Sequence, residues 1–177
     1  MLDEYGHRLT SGEVGEVTVS DPGVTSGYWN NPEATSELIK DGWPRTGDMG
    51  KKDRLGRLYF MDRKKDVIKC GGYSVFSMEV EKELLEHPAV AGVAVVGASH
   101  PLKNQVPLAV VTLEAGAEAG EGEMLTWCRD NIAGYKSPRA IRVIPPEEMP
   151  YSMTLKVRKL ELGRRFGDIF ERDAQGD

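Results

Sequence analysis

At Asp62-Arg63-Lys64-Lys65-Asp66 the chain changes character, and that change limits the folds open to it. Upstream, from about residue 10, the pattern is one of strands and turns. Glu13-Val14-Gly15-Glu16-Val17-Thr18-Val19 alternates as a half-buried strand does and stops at Asp21-Pro22-Gly23. Asn31-Pro32-Glu33-Ala34-Thr35 predicts a short helix, with Asn31 as its cap and Pro32 at the first helical position. Asp41-Gly42 closes that element, and Arg57-Leu58-Tyr59-Phe60-Met61 reads as a strand entering the charged run. Downstream, short strands alternate with amphipathic helices. Val67-Ile68-Lys69 is a strand followed by the turn Gly71-Gly72, and Ser77 is placed to cap a helix running to about His87 and stopped by Pro88. Val90 to Val96 and Pro107 to Leu113 read as buried strands, with Glu114 to Gly122 a loop. Leu125, Cys128 and Ile132 lie at i, i+3 and i+7 of a second helix. Arg139 to Ile144 is a further strand, and a last helix starts near Val157. The order β-α-β-β-α-β from about residue 66 predicts a small α+β domain.

The bulk properties narrow the partners. The 177 residues carry 23 basic and 28 acidic side chains, a formal net charge of −5, which gives no general pull toward nucleic acid. Cys70 and Cys128 are the two cysteines; with no CxxC they form no disulfide framework and suit a reducing, cytoplasmic setting. The longest apolar stretch, Ala89 to Ala98, is about half of the roughly 18 residues that a membrane helix needs, and Met1-Leu2-Asp3-Glu4 begins no signal peptide.

Four segments carry candidate chemistry. Gly42-Trp43-Pro44-Arg45-Thr46-Gly47-Asp48 reads as a tight turn presenting the Asp48 carboxylate, which can accept two hydrogen bonds from a vicinal diol such as that of a ribose. Arg57 to Lys69 includes Arg63, whose planar guanidinium could hold a sugar hydroxyl or a phosphate. Gly71-Gly72, followed by Tyr73 and by Glu79-Val80-Glu81, allows positive φ and close backbone approach to a ligand. Met149 to Lys159 places Lys156 on a loop between a strand and a helix, where one cation can swing toward a phosphate or carboxylate. Taken alone, three of these segments read more readily as an ordinary surface turn or basic loop, and the Gly71-Gly72 segment reads equally as a plain hairpin turn.

Their order and spacing carry the weight. Together with Gly27-Tyr28-Trp29-Asn30-Asn31-Pro32-Glu33-Ala34-Thr35, they resemble the adenylate-forming superfamily: acyl-CoA synthetases, peptide-synthetase adenylation domains and beetle luciferases. The resemblance runs from about Gly12 through Lys159. It implies a partial β-barrel-like subdomain over residues 1–63, the end of a large AMP-binding domain, and a small α/β-sandwich-like C-terminal domain over 64–177. Such a remnant of a subdomain is expected to expose apolar residues such as Tyr28 and Trp29.

The resemblance also implies roles. Asp48 and Arg63 would hold the ribose hydroxyls of ATP and of the acyl-adenylate; Lys65 would be the hinge about which the small domain rotates. Lys156 would be the catalytic lysine that reaches the acid carboxylate and the α-phosphate. Gly72 would line the pantetheine channel, with Lys69 in the same segment. The implied reaction joins a carboxylic acid to ATP, giving acyl-AMP and pyrophosphate, and then passes the acyl group to coenzyme A, releasing AMP. Adenylation supplies the leaving group that a carboxylate lacks.

Two positions depart from the pattern: Leu155 stands where glycine is usual, and Asn104-Gln105 where Gly-Glu is common. A Ser/Thr/Gly-rich phosphate loop ending in lysine and a Tyr-Gly-x-Thr-Glu segment are both absent from these residues. The resemblance places those segments, the magnesium site and the acyl pocket upstream, so the acid stays open between fatty and aryl, and the isolated chain is expected not to adenylate. Loading of a carrier protein, or a non-catalytic binding module of the same fold, are the competing readings; homo-oligomerisation stays open.

Overall fold

The computed structural model describes residues 1–171, which divide into two compact units, Met1–Lys65 and the residues from Asp66 onward.

The first unit is built around one long strand. Strands β1 (Val14–Thr18), β2 (Ile39–Lys40) and β4 (Leu58–Arg63) all pair antiparallel with β3 (Trp43–Lys52), and the sheet does not close. Helix α1 (Pro32–Leu38) begins as its sequence dictates, with the Asn31 side chain accepting from Ala34 N at 3.0 Å and Pro32 in the first turn. Asp41 and Gly42 (φ +52° and +77°) make the tight turn between β2 and β3.

Strand β3 corrects the sequence reading. Thr46-Gly47-Asp48 is not a free turn but lies inside the strand. The register with β1 jumps from Glu16↔Met49 to Thr18↔Arg45, so Thr46, Gly47 and Asp48 together face the single residue Val17. Gly47 (φ +72°) makes that bulge possible. Pro44, Gly47 and Gly50 hid the strand, because proline and glycine mimic a turn wherever a bulge interrupts the ladder.

This unit holds little apolar core. Among its described residues Leu2 is the one large hydrophobe that is buried, and Glu16 and Asp62 are buried polar groups. Glu16 is held by Arg45 Nη1 at 3.3 Å and Lys64 Nζ at 2.9 Å, as a buried carboxylate must be. Trp29 is 98% exposed and Tyr28 58%, as anticipated, and Leu58, Tyr59 and Phe60 in succession leave both faces of β4 open.

The second unit contains the hydrophobic core, which runs from Ile68 to Leu162. Strands β7 (Val90–His100) and β8 (Asn104–Leu113) pair antiparallel along their whole length, from Val90↔Leu113 to His100↔Asn104. Val106, Leu108, Ala109, Val110 and Val111 are all fully buried. Because side chains alternate along a strand, that run means both faces of β8 are dry. Each valine or leucine so buried contributes about 1.5–3 kcal/mol.

The hairpin of β5 (Ile68–Cys70) and β6 (Tyr73–Val75) joins β8 at Cys70↔Asn104, and β9 (Ala140–Val143) runs parallel to β8. Helices α2 (Ser77–Leu84) and α4 (Lys159–Phe166) pack on β7, and α3 (Glu121–Asn131) on β9. Val80 and Leu84 face inward on α2, as do Met124 and Cys128 on α3. The α2 cap is Phe76 rather than Ser77, which is the first helical residue and is fully buried. No helix among the described residues is long and apolar enough to cross a membrane.

Candidate functional site

In the first unit β3 and β4 bring two of the sequence candidates together. Asp48 and Arg63 are directly opposed across the ladder, and Arg63 Nε lies 3.1 Å from Asp48 Oδ1. The bulge fixes this geometry: Thr46 Oγ1 donates to Val17 O at 2.8 Å and accepts from Asp48 N at 3.1 Å. Asp48 Oδ1 is shielded and has no aligned hydrogen-bond donor, Arg63 being close but off-axis. The side chain is nevertheless one-third exposed (33%), which leaves Oδ2 as the oxygen open to a ligand hydroxyl. Arg63, with 53% of its side chain exposed, adds donors on the same edge. Behind the pair, Arg63 N donates to the buried Asp62 Oδ1 at 2.8 Å. Lys65 is exposed in the 3-10 turn Lys64–Asp66, at the end of this unit.

In the second unit Lys69 and Gly72 share the β5–β6 hairpin. Gly71 (φ +55°) and Gly72 (φ +87°) form the two-residue turn with positive φ at both central positions that twisted hairpins favour. Gly71 N donates to Lys103 O at 3.0 Å, and no heavy atom lies within 4 Å of the place a Gly72 Cβ would take. Lys69 Nζ donates to Ser74 Oγ at 2.9 Å, and Lys69 N donates to Gln105 Oε1 at 3.2 Å.

Lys156 sits on a different hairpin. Tyr151 bridges Val157, Ser152 N donates to Lys156 O at 2.8 Å, and Arg158 N donates to Pro150 O at 2.8 Å. Leu155 N donates to Ser152 O at 2.9 Å and Lys156 N to Ser152 Oγ at 3.1 Å, closing the tip. Leu155 adopts φ +57°, the left-handed conformation that glycine takes without cost. Lys156 is exposed, and among the described residues its ammonium makes no ion pair.

Residues 79–154 match the model of the AMP-binding enzyme C-terminal domain. A feruloyl-CoA synthase from an Amycolatopsis species is 40% identical over 162 residues, 92% of this chain and 33% of its own length. A 2-succinylbenzoate–CoA ligase from Geobacillus kaustophilus is 42% identical over 152 residues, covering 86% and 31%. Among solved structures, ATP-bound MatB from Rhodopseudomonas palustris superposes with a TM-score of 0.87 at 32% identity, covering 96% of this chain and 33% of that one. The o-succinylbenzoate CoA synthetase MenE from Bacillus subtilis, in complex with its acyl-adenylate intermediate, gives a TM-score of 0.81 at 34% identity, covering 91% and 32%.

Residues 79–154 belong to the AMP-binding enzyme C-terminal domain family.

The chain spans about a third of the length of the curated relatives it matches. The family segment starts at Glu79 on α2 and runs to Thr154, one residue short of the left-handed Leu155. Two networks in the chain went unassigned from sequence. One is the cluster of Arg45 and Lys64 about the buried Glu16 in the first unit. The other joins Glu81, Lys159 and Ser77 in the second unit, through Lys159 Nζ at 2.6 Å from both Glu81 Oε1 and Ser77 Oγ. Glu81 stood within a recognised motif, but a helical i, i+2 spacing gives no hint that its partner lies beyond the last strand. Glu79 pairs with Lys136. Burial alone would lower the Lys136 pKa, yet the Glu79 and Tyr135 contacts raise it overall. Two shallow depressions, about 390 Å³ at Arg158, Leu160, Glu161 and Arg164, and about 210 Å³ between α2 and Lys136, do not include Lys69, Gly72 or Lys156.

Proposed function

We propose that this chain is the C-terminal part of an ATP-dependent acyl-CoA synthetase, with residues 1–63 completing a large AMP-binding domain and 64–177 forming the small mobile one. The observation that carries the reading is the Asp48–Arg63 pair, opposed across β3 and β4 with an open carboxylate oxygen. A carboxylate and a guanidinium side by side match the two hydroxyls of a ribose, the first accepting and the second donating.

In this reading Asp48 and Arg63 orient the adenosine of ATP and then of the acyl-adenylate. Lys156, on a hairpin rather than on the rigid sheet, delivers one positive charge to the carboxylate and α-phosphate as negative charge builds there. Lys65 is the hinge. Gly72, with open space beside it, lines the path of the pantetheine arm of coenzyme A, and Lys69 belongs to that same surface. Keeping the adenylation lysine and the thiol path on different hairpins lets one leave before the other arrives. The magnesium that accompanies ATP is assigned to residues outside this chain.

Acid-dependent ATP–pyrophosphate exchange tests the reading. The complete enzyme exchanges with at least one acid of a fatty and aryl panel and then forms the CoA thioester, whereas the 177-residue chain stays at background. Robust exchange by the isolated chain, or none by the complete enzyme with any acid, overturns it.

A further inference from the structure

The Lys156 hairpin rises from a fixed base. Its neck closes through Arg158 N to Pro150 O, and the next residue, Lys159, opens α4. Lys159 is the best-anchored cation in this region, with only 17% of its side chain exposed and its ammonium 2.6 Å from both Glu81 Oε1 and Ser77 Oγ. The Glu81 side chain is 16% exposed, and Oε1 also accepts from Val95 N at 2.8 Å. That amide lies in β7, whose partner strand β8 takes the other edge, so one carboxylate oxygen joins α2, the outer edge of β7 and the start of α4.

From this junction we infer that Glu81 is a positioning residue for Lys156: the Glu81–Lys159 clamp fixes the base of the hairpin and so the direction in which Lys156 projects. The inference rests on the reading of Lys156 given above. Met149 is buried and Val157 packs on the core, so the neck has apolar anchors too. Those anchors hold depth, whereas a charged, short contact to a defined oxygen holds direction. The clamp lies three residues along the chain from Lys156, too close for play in one to leave the other unmoved.

Glu81→Gln separates the charge from the edge bond, because its amide oxygen can still accept from Val95 N while the contact to Lys159 loses its charge–charge attraction. Lys159→Gln removes the charge from the other side while keeping a polar side chain. In the 177-residue chain, hydrogen exchange at the amides of Ser152, Leu155, Lys156 and Arg158 is expected to speed up by about ten-fold in either variant, with β8 amides unchanged. In the complete enzyme, Glu81→Gln is expected to slow adenylation by about ten-fold, leave thioester formation from supplied acyl-adenylate within about two-fold, and add nothing to Lys156→Ala in the double variant.

The outcomes separate. Faster exchange throughout β8 makes Glu81 a general structural support, and unchanged hairpin exchange removes the clamp; either overturns the inference. So do equal losses in both half-reactions, or additive losses in the double variant. If Lys156→Ala alone leaves adenylation intact, the function assigned to Lys156 fails while the exchange result still reports on the clamp.

Discussion

Leu155→Gly should make the protein more stable, although leucine-to-glycine changes are ordinarily harmful. Leu155 sits at φ +57° and is 82% exposed. A left-handed residue with a Cβ costs about 1–2 kcal/mol, and the added freedom of glycine in the unfolded chain costs about 0.5–1 kcal/mol. Little apolar burial is lost because the side chain lies in solvent. The balance favours glycine by about 0.5–1 kcal/mol, or roughly 1–4 °C in melting temperature for a chain of this size. Leu155→Ala keeps the conformational cost and should change stability by less than about 0.5 kcal/mol. Leu160 is the matched control: it is 71% exposed but lies inside α4, where Leu160→Gly should cost about 1 kcal/mol. Urea unfolding followed by circular dichroism compares the three variants with the parent. If Leu155→Gly is as destabilising as Leu160→Gly, the left-handed conformation of Leu155 is not what limits this hairpin.

Lys156→Ala in the complete enzyme should lower adenylation by on the order of 10²–10³ while leaving thioester formation from supplied acyl-adenylate largely intact, read by assaying the half-reactions separately. Asp48→Ala should weaken ATP binding by about ten- to a hundred-fold, the worth of hydrogen bonds to a charged acceptor, seen as a raised KM for ATP with folding unchanged by circular dichroism. Burial pushes the Cys128 thiol up from 9.0 to about 11. Its neutral form is therefore favoured in the folded state, and the stability this provides is complete below pH 9 and lost as the pH rises through about 11. Between pH 8 and pH 10.5 the unfolding free energy of the parent, read from urea titrations, should fall more than that of Cys128→Ala, by on the order of 1–2 kcal/mol; parallel falls would show that the thiol does not titrate in this way.

Much of the second unit was legible because burial writes itself into sequence as periodicity. The apolar runs at Val90–Val96 and Pro107–Leu113 became β7 and β8, extended at their polar ends by the ladder itself. Val80, Leu84 and Cys128 face the core as their helical spacing requires. The first unit was harder to read, since its long strand has no such period: β3 is partly exposed, holds a three-residue bulge and carries Pro44, Gly47 and Gly50. The same bulge that hid the strand is what presents Asp48 beside Arg63. Ser77 was misread for a related reason: a serine before an apolar run signals a cap, and nothing local reveals that its hydroxyl meets a lysine from α4.

The two departures from the superfamily pattern turn out to be one kind of event. Asn104 has φ +66° and Leu155 φ +57°, so both stand in left-handed conformations at places where glycine was expected. Asparagine tolerates that conformation, and Asn104 still completes the pairs with His100 and Cys70 at the end of β8. Gln105 keeps a role as well, its side chain lying over Gly97 and accepting from Lys69 N. Leucine has no such tolerance. A strained residue persists only where its surroundings over-determine it, and the bonds through Ser152, Lys156, Pro150 and Arg158 do that at the tip and neck. The strain at Leu155 and the clamp at Glu81 then act on the same hairpin from opposite ends. Relieving the first should steady the closed tip, whereas breaking the second should loosen the base and the tip with it. Leu155→Gly is therefore expected to slow hydrogen exchange at Leu155 and Lys156, and Glu81→Gln to accelerate it as far as Arg158. Faster exchange in both variants would mean that the conformation of Leu155 does not oppose closure of the hairpin.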